Sequence, residues 1–167
     1  MGGVIHAAGV LDDGLIADQS WDRFERVIAT KIRGAEILDE LTAEMHLHFF
    51  ILYSSVASVL GSRGQSNYAT ANAFLDGLAW KRKLSGKAGA SINWGPWTAG
   101  MADDERVRKQ MALQGITPLS AEEAHQCIEY MLANDIVQAT VLDVDWRRMQ
   151  MGLGTESPPL LEGLVPA

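Results

Sequence analysis

Apolar residues fall along this chain in two rhythms, short continuous runs and longer stretches of helical spacing. Val4 and Ile5 run into His6-Ala7-Ala8-Gly9-Val10. A short apolar run that ends in small residues and glycine predicts a buried parallel strand with a close-approach turn. Ser20 is the candidate N-cap of the next element, with Asp22 in its first turn. Phe24, Val27, Ile28, Ala35, Leu38 and Leu41 then recur at helical spacing. Phe49-Phe50-Ile51-Leu52-Tyr53 is continuously apolar, as in a strand covered on both faces, and it ends at Ser54-Ser55. A second helix is predicted from about Ser66, stopping at Gly86 as its C′ residue.

Ala90 to Trp94 predicts a third strand, stopped by Gly95-Pro96. Residues 98–117 mix charge, Met and Gly without a period and read as a mobile segment with room for one short helix. Ser120-Ala121-Glu122-Glu123 is a capping box, and it opens a helix to about Ala133. Val137 to Val144 predicts a last strand. From Met149 onward Gly, Pro and Ser rise and periodicity fades, as in a linker or tail. Strands alternating with helices define an α/β fold with a parallel sheet. No Gly-x-Gly-x-x-Gly follows any strand, so the phosphate-binding turn that opens a dinucleotide fold is absent from this chain.

Composition narrows the function classes. Apolar residues make up 47% of the chain, enough for a sizeable core. The net charge of −7 argues against a nucleic-acid or anionic-membrane surface. The basic cluster Lys81, Arg82, Lys83 and Lys87 is local and suits the negative end of a helix. The single cysteine, Cys127, excludes an internal disulfide and suits a reducing, cytoplasmic compartment. No apolar run is long enough to span a membrane, and the N-terminus lacks the basic region of a signal peptide.

In an open parallel sheet, ligands bind beyond the carboxyl ends of the strands. Those ends are here Ala7-Ala8-Gly9, Ser54-Ser55 and Trp94-Gly95-Pro96-Trp97. Tyr68 and Asn72, four residues apart, share a helix face, and Ser55 leaves its strand where that helix begins. A hydroxyl, a phenol and a carboxamide can therefore meet around one substrate atom. Asn and Tyr near a helix start also serve as cap and packing, and both readings stand at this point. Lys31 falls on the apolar face of its helix, where a lysine must snorkel outward or reach a buried partner. His46-x-His48 has no third ligand of matching context, so no metal site is expected. His125 and Cys127 share one helix and read as surface or packing residues. Trp94 and Trp97 are core aromatics or a cofactor wall.

Several segments, in order, resemble the ketoreductase domains of modular polyketide synthases, a branch of the short-chain dehydrogenases. They are His6-Ala7-Ala8-Gly9-Val10-Leu11-Asp12-Asp13, Lys31-Ile32-Arg33-Gly34-Ala35, Ser54-Ser55-Val56-Ala57, Gly64 to Asp76, and Asn93-Trp94-Gly95-Pro96-Trp97. Asp143-Val144-Asp145-Trp146 resembles the end of the family's last strand, and Pro159-Leu160-Leu161 the linker beyond it. Ordinary short-chain dehydrogenases carry Tyr-x-x-x-Lys. These ketoreductases place the lysine on the preceding helix, where Lys31 stands, and put asparagine where Asn72 stands.

The resemblance implies a Rossmann-like parallel sheet with flanking helices, of which this chain is the second half. It implies reduction of an acyl carrier protein-bound 3-ketoacyl thioester with NADPH. Tyr68 would be the proton donor, Lys31 the cation that lowers its pKa, Ser55 the hydrogen-bond donor to the carbonyl, and Asn72 part of a proton relay. Ala7, Ala8, Gly9, Gly95, Pro96 and Trp97 would line the nicotinamide, and Met101, Met111 and the charges between them a substrate lid. Leu11-Asp12-Asp13, with no Trp between Val56 and Asn67, resembles the B-type enzymes and implies a D-configured alcohol. Asp12-Asp13-Gly14 also reads as an ordinary polar turn.

On this basis residues 1–146 are the C-terminal part of a ketoreductase catalytic domain and 147–167 a linker or tail toward a carrier domain. The first strand matches the family's fourth, so the Gly-rich turn is expected upstream, in an N-terminal half that the isolated chain would need for activity. An unpaired first strand is expected to self-associate, aggregate or pair with that half. A non-catalytic interaction piece and a stand-alone short-chain dehydrogenase are the alternatives. Intact catalytic residues weigh against the first, and Asn72 with the Pro159-Leu160-Leu161 tail against the second.

Overall fold

The structure, a computed structural model, describes residues 1–98, 109, 111–153, 159–161 and 163–164. It divides into two units, one of residues 1–94 and 128–141, the other of residues 95–127 and 142–167.

The first unit is built on a four-stranded sheet of β1 (Gly3–His6), β2 (Phe49–Ser55), β3 (Ala90–Trp94) and β5 (Gln138–Val141), in that order. Every pairing is parallel. Phe50, Ile51, Leu52 and Ile92 are buried. Burial of consecutive residues, Phe50 to Leu52 in β2 and all of β3, accounts for their unbroken apolar runs, because a strand covered on both faces has no solvent side to alternate with. β1 is one edge, and among the described residues it pairs only with β2.

Helix α1 (Trp21–Ile28) starts at Ser20, whose hydroxyl accepts from the Arg23 amide, as expected of an N-cap. It continues through one π-helical stretch, Ala29–Arg33, into α2 (Gly34–Leu41). A π-turn adds a residue to the ladder and turns the side chains that follow it. Lys31 sits inside that turn. After the short α3 (Ala57–Leu60), helix α4 (Ser66–Leu84) packs on β2 and β3. It ends with Gly86 at φ 72°, a left-handed conformation open to glycine at little cost.

One main core joins Ala35, Phe50, Leu52, Leu75, Leu78, Ala79 and Val137. Of the basic cluster read as helix-end charge, Arg82 is in fact buried. It pairs with Asp39, donates to the Ala88 carbonyl at 2.7 Å and stacks 3.8 Å from the Phe50 ring centroid.

The second unit departs from the sequence reading in two places. The expected strand Val137–Val144 divides in two. β5 ends at Val141, and β6 (Asp143–Val144) pairs antiparallel with β4 (Ile116–Thr117), a strand the pattern did not predict. The expected linker opens instead with helix α6 (Trp146–Leu153). Asp145 supplies the local cause: its carboxylate accepts from the Arg147 and Arg148 amides at 3.1 and 3.2 Å, an N-cap at the end of an apolar run.

The Ser120 capping box forms as read. The Glu123 amide donates to the Ser120 hydroxyl at 3.2 Å, and the Ser120 amide returns to the Glu123 carboxylate at 2.8 Å. Helix α5 (Ala121–Ala133) follows. Met111 lies in a helical turn, and Met101, the other residue of the expected lid, lies outside the described residues.

Candidate active site

The π-turn between α1 and α2, the C-terminal end of β2 and the first turns of α4 bring four of the predicted residues into one unit: Lys31, Ser55, Tyr68 and Asn72. Lys31 is 3% exposed. Of the two options open to a lysine on an apolar face, it takes the inward one. Its Nζ donates to the Tyr53 carbonyl at 2.9 Å and stands 5.2 Å from the centroid of the Tyr68 ring. Burial pushes its pKa down from 10.5 to about 8, against an opposing pull from the Asp76 carboxylate.

Tyr68 is buried in a small cluster with Val27, Ala57 and Ala71. That burial pushes the phenol above its ordinary value of 10.0. Hydrogen bonding from Asn72 and Ser55 works the other way, and the charge of Asp13 adds to the rise. The ammonium stands over the ring, and desolvation outweighs the contacts that favour phenolate.

Asn72 is fully buried and holds itself one turn back by donating its Nδ2 to the Tyr68 carbonyl at 2.8 Å. Its Oδ1 is buried with no partner among the described residues. A buried acceptor left open is costly, so it marks a place for a water or a ligand proton. The Ser55 hydroxyl accepts from the Ala57 amide at 3.2 Å, fixing the turn that carries it.

Ala7, Ala8 and Gly9 are exposed just past β1. A Cβ on Gly9 would come within 3.0 Å of Lys31 Cε, so glycine there lets the backbone lie against the lysine. Gly95, Pro96 and Trp97 follow β3 directly but belong to the second unit. There the Pro96 carbonyl accepts from the Leu119 amide at 2.8 Å, and Trp97 bridges to Leu119.

The Leu11-Asp12-Asp13 loop is held in place. Asp12 forms ion pairs with Arg23 and Arg26, each at 2.7 Å. Asn67 Nδ2 donates to the Asp12 carbonyl at 2.8 Å, and Gln65 Nε2 to the Asp13 carboxylate at 3.0 Å. The loop is thus tied to the residues immediately before Tyr68.

The residue reading missed what lies beneath the site. Asp76, 8% exposed, accepts from Ser91 Oγ at 2.5 Å and from Ser58 Oγ and Asn93 Nδ2 at 2.8 Å each. The available signal was its spacing. Tyr68, Asn72 and Asp76 lie four apart, one polar row on a helix face that otherwise packs on the sheet.

A parallel sheet flanked by helices, with polar groups gathered at the strands' carboxyl edge, is the Rossmann-like architecture of the short-chain dehydrogenases. More narrowly, the KR domain family model matches residues 1–99, and the chain belongs to that family. It is similar to polyketide synthase GfsB of Streptomyces halstedii, 40% identical over 167 residues, which cover 98% of this chain and 3% of that protein. It is 41% identical over 172 residues to the phenolphthiocerol synthesis polyketide synthase type I Pks15/1 of Mycobacterium marinum, over 98% of this chain and 8% of the relative.

Among solved structures, A-type ketoreductases from a modular polyketide synthase superpose with a TM-score of 0.89 at 36% identity, over 98% of this chain and 34% of theirs. The ketoreductase from the first module of phoslactomycin biosynthesis in Streptomyces sp. HK803 gives 0.87 at 36% identity, over 95% and 37%. The chain thus spans about a third of the solved ketoreductases and a few per cent of the curated synthases. Among the described residues no helix is long and apolar enough to cross a membrane.

Proposed function

We propose that this chain is the catalytic half of an NADPH-dependent 3-ketoacyl thioester reductase acting on acyl carrier protein-bound substrates in a modular polyketide synthase. The observation that carries the reading is the buried Lys31 ammonium over the Tyr68 ring, with Asn72 one turn away on the same helix. A lysine and a carboxamide with an open acceptor are costly to bury, and a purely structural piece gains nothing from them.

NADPH, when bound, supplies the hydride to the ketone carbon. Ala7, Ala8 and Gly9 would hold the nicotinamide half. The chain's own residues handle the other half of the reaction. The Ser55 hydroxyl donates a hydrogen bond to the carbonyl oxygen as negative charge develops there. Tyr68 delivers its proton to that oxygen, completing the alcohol. A phenol held above its ordinary pKa keeps its proton at neutral pH. The Lys31 cation stabilises the phenolate left behind. The open Asn72 Oδ1 accepts a hydrogen bond from a relay water through which Tyr68 recovers its proton. The remaining part of the domain pairs with β1 and supplies the pyrophosphate turn, so the 167 residues alone are inactive. The single cysteine fits a reducing cytoplasm.

The test uses this chain within a complete ketoreductase domain, with NADPH and a 3-ketoacyl thioester. Tyr68→Phe is expected to lower kcat by ~100-fold or more while cofactor affinity stays nearly unchanged, because it removes a group used in the transition state. Near-full turnover by Tyr68→Phe would remove the assigned acid.

A further inference from the structure

A buried carboxylate lies under the candidate site with no ion-pair partner within salt-bridge distance among the described residues. Asp76 is held instead by three neutral donors. Ser91 Oγ reaches its Oδ1, and Ser58 Oγ and Asn93 Nδ2 reach its Oδ2. Those donors lead to the reactive residues along two routes. Ser58 Oγ also lies 2.8 Å from the Ser55 carbonyl. Asn93 Nδ2 reaches Ser54 Oγ at 3.1 Å, and Ser54 Oγ donates to the Asn72 carbonyl at 3.1 Å. The sheet end of this network is closed by Gln138, whose Nε2 donates to Asn93 Oδ1 at 3.2 Å and whose Oε1 accepts from Trp80 Nε1 at 2.9 Å.

This inference rests on the reductase reading above. We propose that Asp76 is a positioning residue for the reduction: its carboxylate fixes, through Ser58, Asn93 and Ser54, the backbone that carries Ser55 and Asn72. A serine has one hydroxyl proton, so Ser58 can point it at Asp76 or at the Ser55 carbonyl but not both. A charged Asp76, as a pure acceptor, settles where the protons of this network point. Fixed protons and fixed backbone keep the Ser55 hydroxyl aimed at the substrate oxygen.

The charge has a second effect. The titratable groups around Lys31 are His6 on β1, Tyr68 and Asp76 on α4, and Tyr53 on β2, which meets it through its carbonyl. Asp76 is the carboxylate among them that favours the protonated lysine, while His6, burial-lowered and hydrogen-bonded to the Lys31 carbonyl, offers no negative charge. Loss of the Asp76 charge lets Lys31 give up its proton at lower pH.

Steady-state kinetics and thermal unfolding of the chain within a complete ketoreductase domain test this with Asp76→Asn. The amide keeps the shape and removes the charge. The expected result is a kcat lower by roughly 10- to 100-fold, with KM for the thioester changed little. The alkaline limb of kcat should move to lower pH by about one unit. Ser91→Ala is the control. It removes a hydrogen bond from the same carboxylate but leaves the charge, so it should lower the melting temperature without moving that limb.

A fall in kcat with an unmoved limb, matched by Ser91→Ala, would make Asp76 a structural residue only and overturn the proposal. So would wild-type kcat and an unmoved limb in Asp76→Asn. If Asp76→Asn does not fold, Ser58→Ala carries the test. It cuts the route to Ser55, and lower kcat at unchanged KM supports the proposal, whereas unchanged kcat overturns it. A wild-type domain that fails to reduce any 3-ketoacyl thioester removes the reductase reading itself, a result the Asp76 variants cannot produce.

Discussion

The ammonium of Lys31 stands over the ring of Tyr68, 5.2 Å from its centroid, while donating to the Tyr53 carbonyl at 2.9 Å. A helix that ran regularly from Trp21 to Leu41 would space its side chains by one fixed angle. The π-turn at Ala29–Arg33 breaks that spacing at the lysine, and Gly9 leaves room for its stem. Backbone irregularity, a glycine and a desolvated cation thus coincide at one point. π-turns of this kind are frequent at functional sites.

Lys31→Met is expected to make the domain more stable and less active. In the folded chain the lysine's pKa is about 8, below its ordinary 10.5. The unfolded chain therefore holds that proton more tightly. The lysine's contribution to stability is full above pH 10.5 and is lost as pH falls through 8, so at neutral pH the buried cation works against folding. Methionine removes that cost and should stabilise by on the order of 2 kcal/mol at neutral pH. The same change should slow the reduction. It should also abolish the alkaline limb that the lysine sets near pH 8, shifting the profile upward toward the titration of Tyr68. Denaturant unfolding at pH 7 and kcat against pH check both parts. A destabilised Lys31→Met with an unshifted profile would contradict them.

Much of the chain was legible because its elements obey local rules. The apolar runs at 49–53 and 90–94, the Ser20 cap, the Ser120 capping box and Gly86 each state their structure within a few residues. Lys31 was legible as an anomaly, a charge on an apolar face. What stayed hidden depends on pairings distant in sequence. β4 is two residues long and exists because Ile116 meets Val144. The Asp76 network joins serines and an asparagine from three strands and helices, and nothing in the local pattern pairs Ser58 with Asn93. The raised phenol of Tyr68 also escaped, since burial is a property of the packed core.

The Leu11-Asp12-Asp13 loop bears on product configuration. Its anchors, Asn67 to Asp12 and Gln65 to Asp13, hold it against the residues that precede Tyr68, so the loop can bound one side of the substrate approach. The B-type resemblance of this loop implies a D-configured 3-hydroxyacyl thioester. Chiral analysis of the alcohol made by the complete domain is expected to show D. Gln65→Ala frees the Asp13 carboxylate and should erode that preference while leaving the domain folded. An L product from the wild-type domain would refute the assignment.

The edge of the sheet gives the last prediction. β1 pairs with β2 along one side only, and among the described residues nothing bonds to its other side. Ile5 in the middle of this strand is 51% exposed, and Val10 and Leu11 beyond it are exposed as well. A parallel strand with open N–H and C=O groups and apolar side chains is a template for another strand. The strand Gly3-Val4-Ile5-His6 carries no proline, lysine or inward charge of the kind that guards such an edge. Gly3 packs against the Phe49 ring with no room for a Cβ. The isolated chain is therefore expected to self-associate or precipitate at low micromolar concentration, and to become soluble and monodisperse when co-expressed with the N-terminal half of a ketoreductase domain. Ile5→Lys should suppress self-association of the isolated chain by placing a charge on the edge, and should also block assembly with that half. Sedimentation velocity on the chain alone, the variant and the co-expressed pair measures this. A wild-type chain that sediments as a monomer, with the amides of Val4 to Ala8 protected from hydrogen exchange, would show that the edge is covered within the chain itself.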